Sequence, residues 1–292
     1  MNCKGNRAKL LSEIALLFVG IFWGSSLIVV KSATTELSAN ALIAFRFSIA
    51  CIVLGLIFFR HLRGITLRDI GHGAIIGAFL FGAYWIQTLG VTLGMPGKSA
   101  FLSSIYCVMV PFVHWLVSRV RPQRRNIIAA VICTAGITIV SAGDGLSMQL
   151  GDLLALLSGL FYALHIASVD KFARGDDPIR STIMQFAFCA FYAWCMTFAL
   201  DGLSLKLVPD IWPDLLYLSL VCTALSLLLQ NVGQKHADPN LAAILMSTES
   251  VFAALFSVLF TDEVFSGKMF VGFALIFAAV LVSEVSPRKK TN

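Results

Sequence analysis

The chain has 292 residues, of which 58% are hydrophobic and 13% are charged, and its mean hydropathy is +0.85. Soluble proteins carry about 25% charged residues, so this composition cannot cover a water-exposed surface. A cytosolic enzyme, a secreted domain and a disordered tail are thereby excluded. The composition predicts an all-α polytopic membrane protein.

Apolar runs of about 17–23 residues between polar breaks predict ten transmembrane helices, because only helices or closed barrels satisfy backbone polar groups in lipid. The predicted spans are Leu10–Val30, Ala39–Phe59, Gly71–Thr92, Ser99–Val117, Ile127–Ala142, Leu150–Val169, Ile179–Ala199, Ile211–Gly233, Leu241–Phe260 and Met269–Ser283.

The basic residues concentrate at alternate ends of the predicted spans. With the amino terminus inside, 17 of the 22 Lys and Arg residues lie in inner segments and 4 in outer segments, while Arg46 lies within the second span. Positive residues accumulate on the cytoplasmic side of membrane proteins. We therefore expect both termini to be cytoplasmic, in the inner (plasma) membrane. The net charge of +6 then reflects topology, and no nucleic-acid partner is expected.

A weak internal repeat divides the chain into residues 1–145 and 146–292. A shift of 139 residues aligns Gly20, Phe22 and Trp23 with Gly159, Phe161 and Tyr162, and the hydropathy layout of the halves matches better than their residues do. Each half holds five predicted spans, so the second copy enters the membrane in the opposite sense. Inverted five-helix repeats are typical of transporters, whose substrate site lies at the repeat interface.

Two charged residues fall well inside predicted spans. Glu249 lies in the middle of the ninth span, where a charge costs about 2.5–3.5 kcal/mol and needs a partner, a wet cavity or a proton. It either lines the transport pathway or forms a structural pair, and the sequence leaves both open. Arg46 lies in the second span; its side chain could snorkel toward the outer surface, and a structural role is favoured over substrate contact.

Aromatic, amide and hydroxyl side chains fall in the middle of several other spans. This lining would offer stacking and hydrogen bonds with little fixed charge, which suits a zwitterion or an amphiphilic organic molecule. Ordinary interhelical packing is the alternative for each residue taken singly. We expect the following residues to bind substrate: Trp23, Ser26, Tyr84, Gln87, Tyr106, Tyr162, His165, Asn231 and Glu249. Pro111 is expected to kink the fourth helix, with a gating or structural role.

Motifs for other chemistries are absent from the sequence. It contains no G-x-x-x-x-G-K-[ST], G-x-S-x-G or H-E-x-x-H motif, and the loops are too short for a soluble catalytic domain. The seven Cys residues show no C-x-x-C spacing. We therefore expect a protein that is not an enzyme and that uses no cofactor and no metal.

Several segments resemble the EamA-type members of the drug/metabolite transporter superfamily. They are 22–26 with Lys31, Arg46-Phe47, 97–102 through Pro111, Glu249-Ser250-Val251 and Asp262-Glu263. Ser250 and Asp262 depart from the family's usual Pro and Gly. Within the superfamily the chain looks most like YddG-type exporters of aromatic and other neutral amino acids. The resemblance implies a cavity formed mainly by helices 1, 3, 4, 6, 8 and 9.

The sequence thus predicts a secondary transporter that exports small organic metabolites by alternating access. Aromatic and neutral amino acids are the first candidates, with the lipid bilayer as surroundings and a homodimer left open. Trp23, Tyr84, Tyr106 and Tyr162 would stack on the substrate; Ser26, Gln87, His165 and Asn231 would hydrogen-bond its polar groups. The alternatives are a drug exporter of the same superfamily and, in a different class, a membrane sensor or an enzyme subunit.

Overall fold

The computed structural model describes residues 3–119, 121–141, 148–172, 177–202, 209–230, 245–261 and 263–284, and these residues form helices and no strand. The first half contains α1 (Cys3–Ala33), α2 (Ala39–Ile57), α3 (Leu67–Leu93), α4 (Pro96–Ser103), α5 (Tyr106–Ser118) and α6 (Arg124–Ser141). The second half contains α7 (Leu150–Phe172), α8 (Pro178–Met196), α9 (Trp212–Leu216), α10 (Glu249–Phe260) and α11 (Gly267–Glu284). Shorter 3-10 turns lie at Phe59–Leu62 and Pro209–Ile211.

Seven of the described helical stretches are long and apolar enough to cross a membrane, and two apolar helices are shorter. The seven are Leu10–Ala33, Ala39–Ile57, Leu67–Leu93, Pro96–Val117, Leu150–Val169, Pro178–Asp201 and Pro209–Gln230. The shorter two are Leu245–Phe260 and Gly267–Ser283, and α6 occupies the fifth predicted span. The helical class is confirmed, whereas the count of ten spans and the location of the termini stay predictions.

Helix starts follow local capping chemistry. Ser38 precedes α2 and its hydroxyl accepts from the backbone N–H of Ala41 at 3.1 Å. Thr66 and Asp69 form a capping box at the start of α3. Asp177 caps α8 and is followed by Pro178 at the first helical position, where the missing N–H costs nothing.

Two predicted spans are interrupted. The fourth span divides into α4 and α5 at Ser104–Ile105, an interruption that was not expected from the sequence. Pro111 lies within α5, six residues after Ile105, and the kink expected there stays a prediction. The ninth span turns at Thr248 and begins regular helix again at Glu249. Interrupted helices in corresponding positions of two halves are typical of transporter binding sites.

The stretch after α9 widens to a π-helix over Tyr217–Leu225 before it returns to α-helical geometry at residues 226–230. A second, shorter π-helical turn, Thr197–Asp201, ends α8. π-helical turns are rare and are frequent at functional sites. The side chain of Thr223 hydrogen-bonds to the carbonyl of Leu218, five residues earlier, at 2.8 Å.

The helices of each half pack mainly against helices of the other half. α3 packs on α7 and α8, α1 on α10, α4 on α7 and α10, α5 on α7, and α6 on α11. Glycines allow several of these close approaches between helices. A Cβ added at Gly24 would lie 2.7 Å from Phe252 Cβ and 2.8 Å from the Glu249 carbonyl oxygen, so α1 and α10 touch backbone to backbone there.

Candidate functional site

A cavity of about 420 Å³ lies between the two halves. Its wall draws on α1, α2, α3, α4, α5, α7, α8 and α10 and on the π-helical stretch that follows α9. Eight of the nine predicted substrate-binding residues line it, and they are Trp23, Ser26, Tyr84, Gln87, Tyr106, Tyr162, His165 and Glu249. Asn231 lies outside the described residues. The side chains selected from the sequence therefore face a common space.

Three tyrosine rings form one continuous part of this wall. The rings of Tyr84 and Tyr162 meet edge to face with centroids 5.6 Å apart, and those of Tyr106 and Tyr162 are 5.9 Å apart. In tilted and edge-to-face arrangements the positive edge of one ring approaches the negative face of the other, which is favourable. We call Tyr84, Tyr162 and Tyr106 the tyrosine cluster.

A chain of hydrogen bonds fixes the tyrosine cluster on the α3 side. The Tyr162 hydroxyl donates to Gln87 Oε1 at 2.7 Å, and Gln87 Nε2 donates to the Ser103 hydroxyl at 3.2 Å. Both ends of the Gln87 amide are therefore already engaged. His165 is similarly paired, with Nε2 2.7 Å from Gln185 Oε1.

Glu249 lies where the two interrupted helices meet. It is the first residue of α10, and the hydroxyl of Tyr106, the first residue of α5, donates to Glu249 Oε1 at 3.3 Å. An acid is favoured at a helix start because the backbone N–H groups there give it partial positive charge. The interruption at Thr248 thus gives the carboxylate a polar setting inside an apolar span.

Arg46 lies behind the wall. It is 3% exposed, its Nε donates to the Thr223 hydroxyl at 2.7 Å, and its guanidinium carbon lies 4.8 Å from the centroid of the Tyr84 ring. Snorkelling toward the outer surface is therefore wrong. The stacked ring and the threonine hold the cation in the interior, and both of these residues line the cavity.

Two predicted residues on α1 make contacts that fix the wall. Trp23 Nε1 donates to the Cys222 carbonyl at 3.1 Å, which ties α1 to the π-helical stretch. The Ser26 hydroxyl donates to the carbonyl of Trp23 within its own helix at 2.7 Å. Pro111 lies in α5 outside the cavity wall described.

Sequence reasoning missed part of the wall. Phe47 on α2, Gln185 and Phe186 on α8, and Thr223 line the cavity. Gln185 and Thr223 are polar residues within apolar spans and would have been found by the same criterion as Gln87. Phe47 is one apolar residue among many and carries no such signal.

Side-chain contacts join the halves near both ends of the helices. Where α4 begins, Glu263 Oε2 accepts from the Gly97 N–H at 3.2 Å and from the Ser257 hydroxyl, and burial raises the pKa of the Glu263 carboxyl. At the other end, His61 Nδ1 lies 2.6 Å from Asp177 Oδ2. Partial burial of Asp177 opposes its ionisation, but its contacts with His61 and with the backbone N–H groups that follow hold its pKa below the usual range.

The described residues contain no group of three or more His, Cys, Asp or Glu side chains that could hold a metal ion. The described cysteines are free thiols, and Cys107, Cys133, Cys189 and Cys222 among them are buried.

The model of the EamA-like transporter family matches residues 10–142 and again residues 149–284. An uncharacterized transporter of Archaeoglobus fulgidus is 29% identical over 274 residues, which cover 94% of this chain and 86% of that relative. The uncharacterized transporter YwfM of Bacillus subtilis is 26% identical over 181 residues, 61% of this chain and 60% of its own.

A protein of known crystal structure shares the fold, with a TM-score of 0.64 at 20% identity over 95% of this chain and 96% of that one. The family resemblance noted from the sequence is confirmed, whereas YddG-type specificity stays a prediction. With two matched segments that together span nearly the whole chain, the protein belongs to the EamA-like transporter family and is a multi-pass membrane transporter.

Proposed function

We propose that this transporter exports small organic metabolites across the inner membrane, with aromatic and other neutral amino acids as the first candidates. The observation that carries the proposal is the aromatic cavity of about 420 Å³ between the halves. Cavities of roughly 300–1,000 Å³ suit small molecules, and an apolar wall with a few polar groups is typical of such sites.

The proposed architecture is an inverted repeat of residues 1–145 and 146–292, with both termini in the cytoplasm. Two observations support it. The family model matches once in each half, and the helices of each half pack mainly against helices of the other half. In such transporters one half rocks against the other around a fixed central site, so alternating access follows from the architecture.

The proposed roles of the wall residues follow from their chemistry. Trp23, Tyr84, Tyr106 and Tyr162 stack on the apolar part of the substrate. Ser26, Gln87 and His165 hydrogen-bond its polar groups through the capacity that their protein contacts leave: the Ser26 oxygen as acceptor, the second N–H of Gln87 Nε2, and Nδ1 of His165. Asn231 would join the second group. Glu249 supplies charge to the cavity, and Arg46 supports the wall through Tyr84 and Thr223.

The test is transport of labelled phenylalanine by the purified protein in proteoliposomes, with and without an imposed pH gradient. Saturable flux above that of protein-free vesicles supports the proposal. Flux that follows the gradient would assign proton coupling to a titratable group of the cavity. No flux in sealed vesicles with folded protein would overturn the amino-acid assignment.

A further inference from the structure

The charges that line the cavity have one sign. Among the lining residues that the structure describes, Glu249 is the only carboxylate, and no Lys or Arg is present. His165 is the basic residue in the wall, and its Nε2 is already paired with Gln185. Within the part of the wall that the structure describes, a ligand therefore meets one acidic group and no fixed cation.

Arg46 is a fixed cation behind the described wall and does not line the cavity. Arg46 is 3% exposed and is covered by Tyr84 and Thr223, which themselves form the wall. Its guanidinium lies over the face of the Tyr84 ring, and its Nε donates a hydrogen bond to the Thr223 hydroxyl. A ligand carboxylate would reach it only if these residues moved aside.

The surroundings of Glu249 suit a cationic nitrogen. Tyr106 donates to Oε1, and within the described chain no hydrogen bond is made to Oε2. The rings of Tyr106, Tyr162 and Trp23 line the same cavity. Aromatic faces attract ammonium groups, and the attraction strengthens when water is excluded. A carboxylate and aromatic rings in one cavity are the two kinds of group that bind a protonated amine.

We infer that the cavity recognises the protonated amino group of its substrate through Glu249 and the surrounding rings, and that the substrate's carboxylate is dispensable. The substrate class is then primary amines with an aromatic or apolar body, to which neutral amino acids belong only through their amino group. This inference rests on the proposed transport function and narrows its chemistry. Among the described lining residues a ligand carboxylate would find no cationic partner, and burial of an unpaired charge is costly.

Three matched compounds separate the groups of the ligand: phenethylamine carries the amine alone, phenylalanine both groups and 3-phenylpropionate the carboxylate alone. Binding is measured by calorimetry with the full chain in lipid nanodiscs. We expect phenethylamine to bind at least as tightly as phenylalanine. We expect 3-phenylpropionate to bind at least about tenfold more weakly, since it lacks the ammonium that makes a charge-assisted hydrogen bond to Glu249. Phenylalanine binding more tightly than phenethylamine would overturn the inference.

Two variants assign the amine to Glu249. In Glu249→Gln the affinity for phenethylamine should fall at least about tenfold, whereas the exposed-acid control Glu36→Gln should bind as the unmodified chain does. Tyr106→Phe keeps the ring and removes the hydroxyl bound to Glu249; it should lower phenethylamine affinity about threefold and leave that for 3-phenylpropionate unchanged. This second variant decides the question if Glu249→Gln fails to fold. Equal phenethylamine affinities in Glu249→Gln, Tyr106→Phe and the control Glu36→Gln would contradict the inference.

The inference and the proposed function fail in different ways. Phenylalanine flux without phenethylamine binding would leave amino-acid export standing and remove the amine-directed site. Phenethylamine binding without phenylalanine flux would retain the site and remove the amino-acid assignment.

Discussion

Two charged side chains inside the helical bundle lie at opposite ends of the tyrosine cluster, and their surroundings differ. At one end Arg46 is enclosed by the Tyr84 ring and the Thr223 hydroxyl and does not line the cavity. At the other end Glu249 faces the cavity and receives one hydrogen bond of 3.3 Å from Tyr106. A charge that the protein surrounds with its own hydroxyl and aromatic groups supports the fold, whereas a charge that faces a cavity is available to a ligand.

The difference between these two charges predicts that Glu249→Gln reduces transport more than any other substitution considered. Transport of the cognate substrate should fall about thirtyfold or more, because removal of one partner of a desolvated charge pair costs about 2 kcal/mol or more. The melting temperature in detergent should change little, because no cation of the described protein pairs with this carboxylate. Flux in proteoliposomes and thermal melting check both parts, with Glu36→Gln as the control. Wild-type flux in Glu249→Gln would assign the residue to packing.

The opposite result is expected for Arg46→Gln. Loss of the guanidinium removes the hydrogen bond to Thr223 and the contact with the Tyr84 ring, at a cost of about 1.5–3 kcal/mol in stability. A lower melting temperature should therefore accompany any loss of transport. Arg68→Gln, which changes an exposed arginine, is the control. An unchanged melting temperature together with lost binding would mean that Arg46 contacts the substrate.

A third test changes the packing of α1 against α10, the helix that begins at Glu249. In Gly24→Ala the new Cβ would lie 2.7 Å from Phe252 Cβ and 2.8 Å from the Glu249 carbonyl oxygen, so α1 and α10 must separate. Overpacking of this kind costs about 1–3 kcal/mol. Thermal melting should show the loss, and substrate affinity should fall with it. Gly71→Ala, where nothing lies within 4 Å of the new Cβ, should melt at or above the unmodified temperature.

The smallest effect is expected for Tyr106→Phe. Loss of one hydrogen bond of 3.3 Å to Glu249 should reduce substrate affinity about threefold, which corresponds to about 0.6 kcal/mol. The stacking surface of the ring is retained. Tyr192→Phe removes a tyrosine hydrogen bond outside the cavity, to the Ala74 carbonyl at 3.2 Å, and should leave affinity unchanged. A larger loss for Tyr192→Phe than for Tyr106→Phe would refute the comparison.

The sequence predicts the cavity better than it predicts the helices that form it. Polar and aromatic residues within apolar runs stand out by composition, which is why Gln87, Tyr162 and Glu249 could be selected in advance. Phe47 could not, because an apolar side chain toward the cavity and one toward lipid look alike in a uniformly apolar span. Their orientation is decided by helix packing, and small residues that permit close approach do not specify the angle of rotation.

The position of Arg46 depends on contacts that are distant in the sequence. Thr223 is 177 residues away, and nothing local to the second span distinguishes a snorkelling arginine from an enclosed one. The break at Ser104–Ile105 is similarly hidden, because serines are common in membrane helices and the conspicuous signal in that span is Pro111. Tertiary partners decide both features.

The hydrogen bond between Trp23 and the Cys222 carbonyl gives the cavity an intrinsic optical reporter. The protein has five tryptophans, and Trp23 is the one in the described cavity wall, where its indole is held in one orientation. Indole emission moves to shorter wavelength when water leaves its surroundings. A variant in which Trp85, Trp115, Trp194 and Trp212 are replaced by Phe would carry its only tryptophan in the cavity wall, where indole emission can be excited separately from that of the tyrosines. Occupancy could then be followed in real time on an unlabelled transporter.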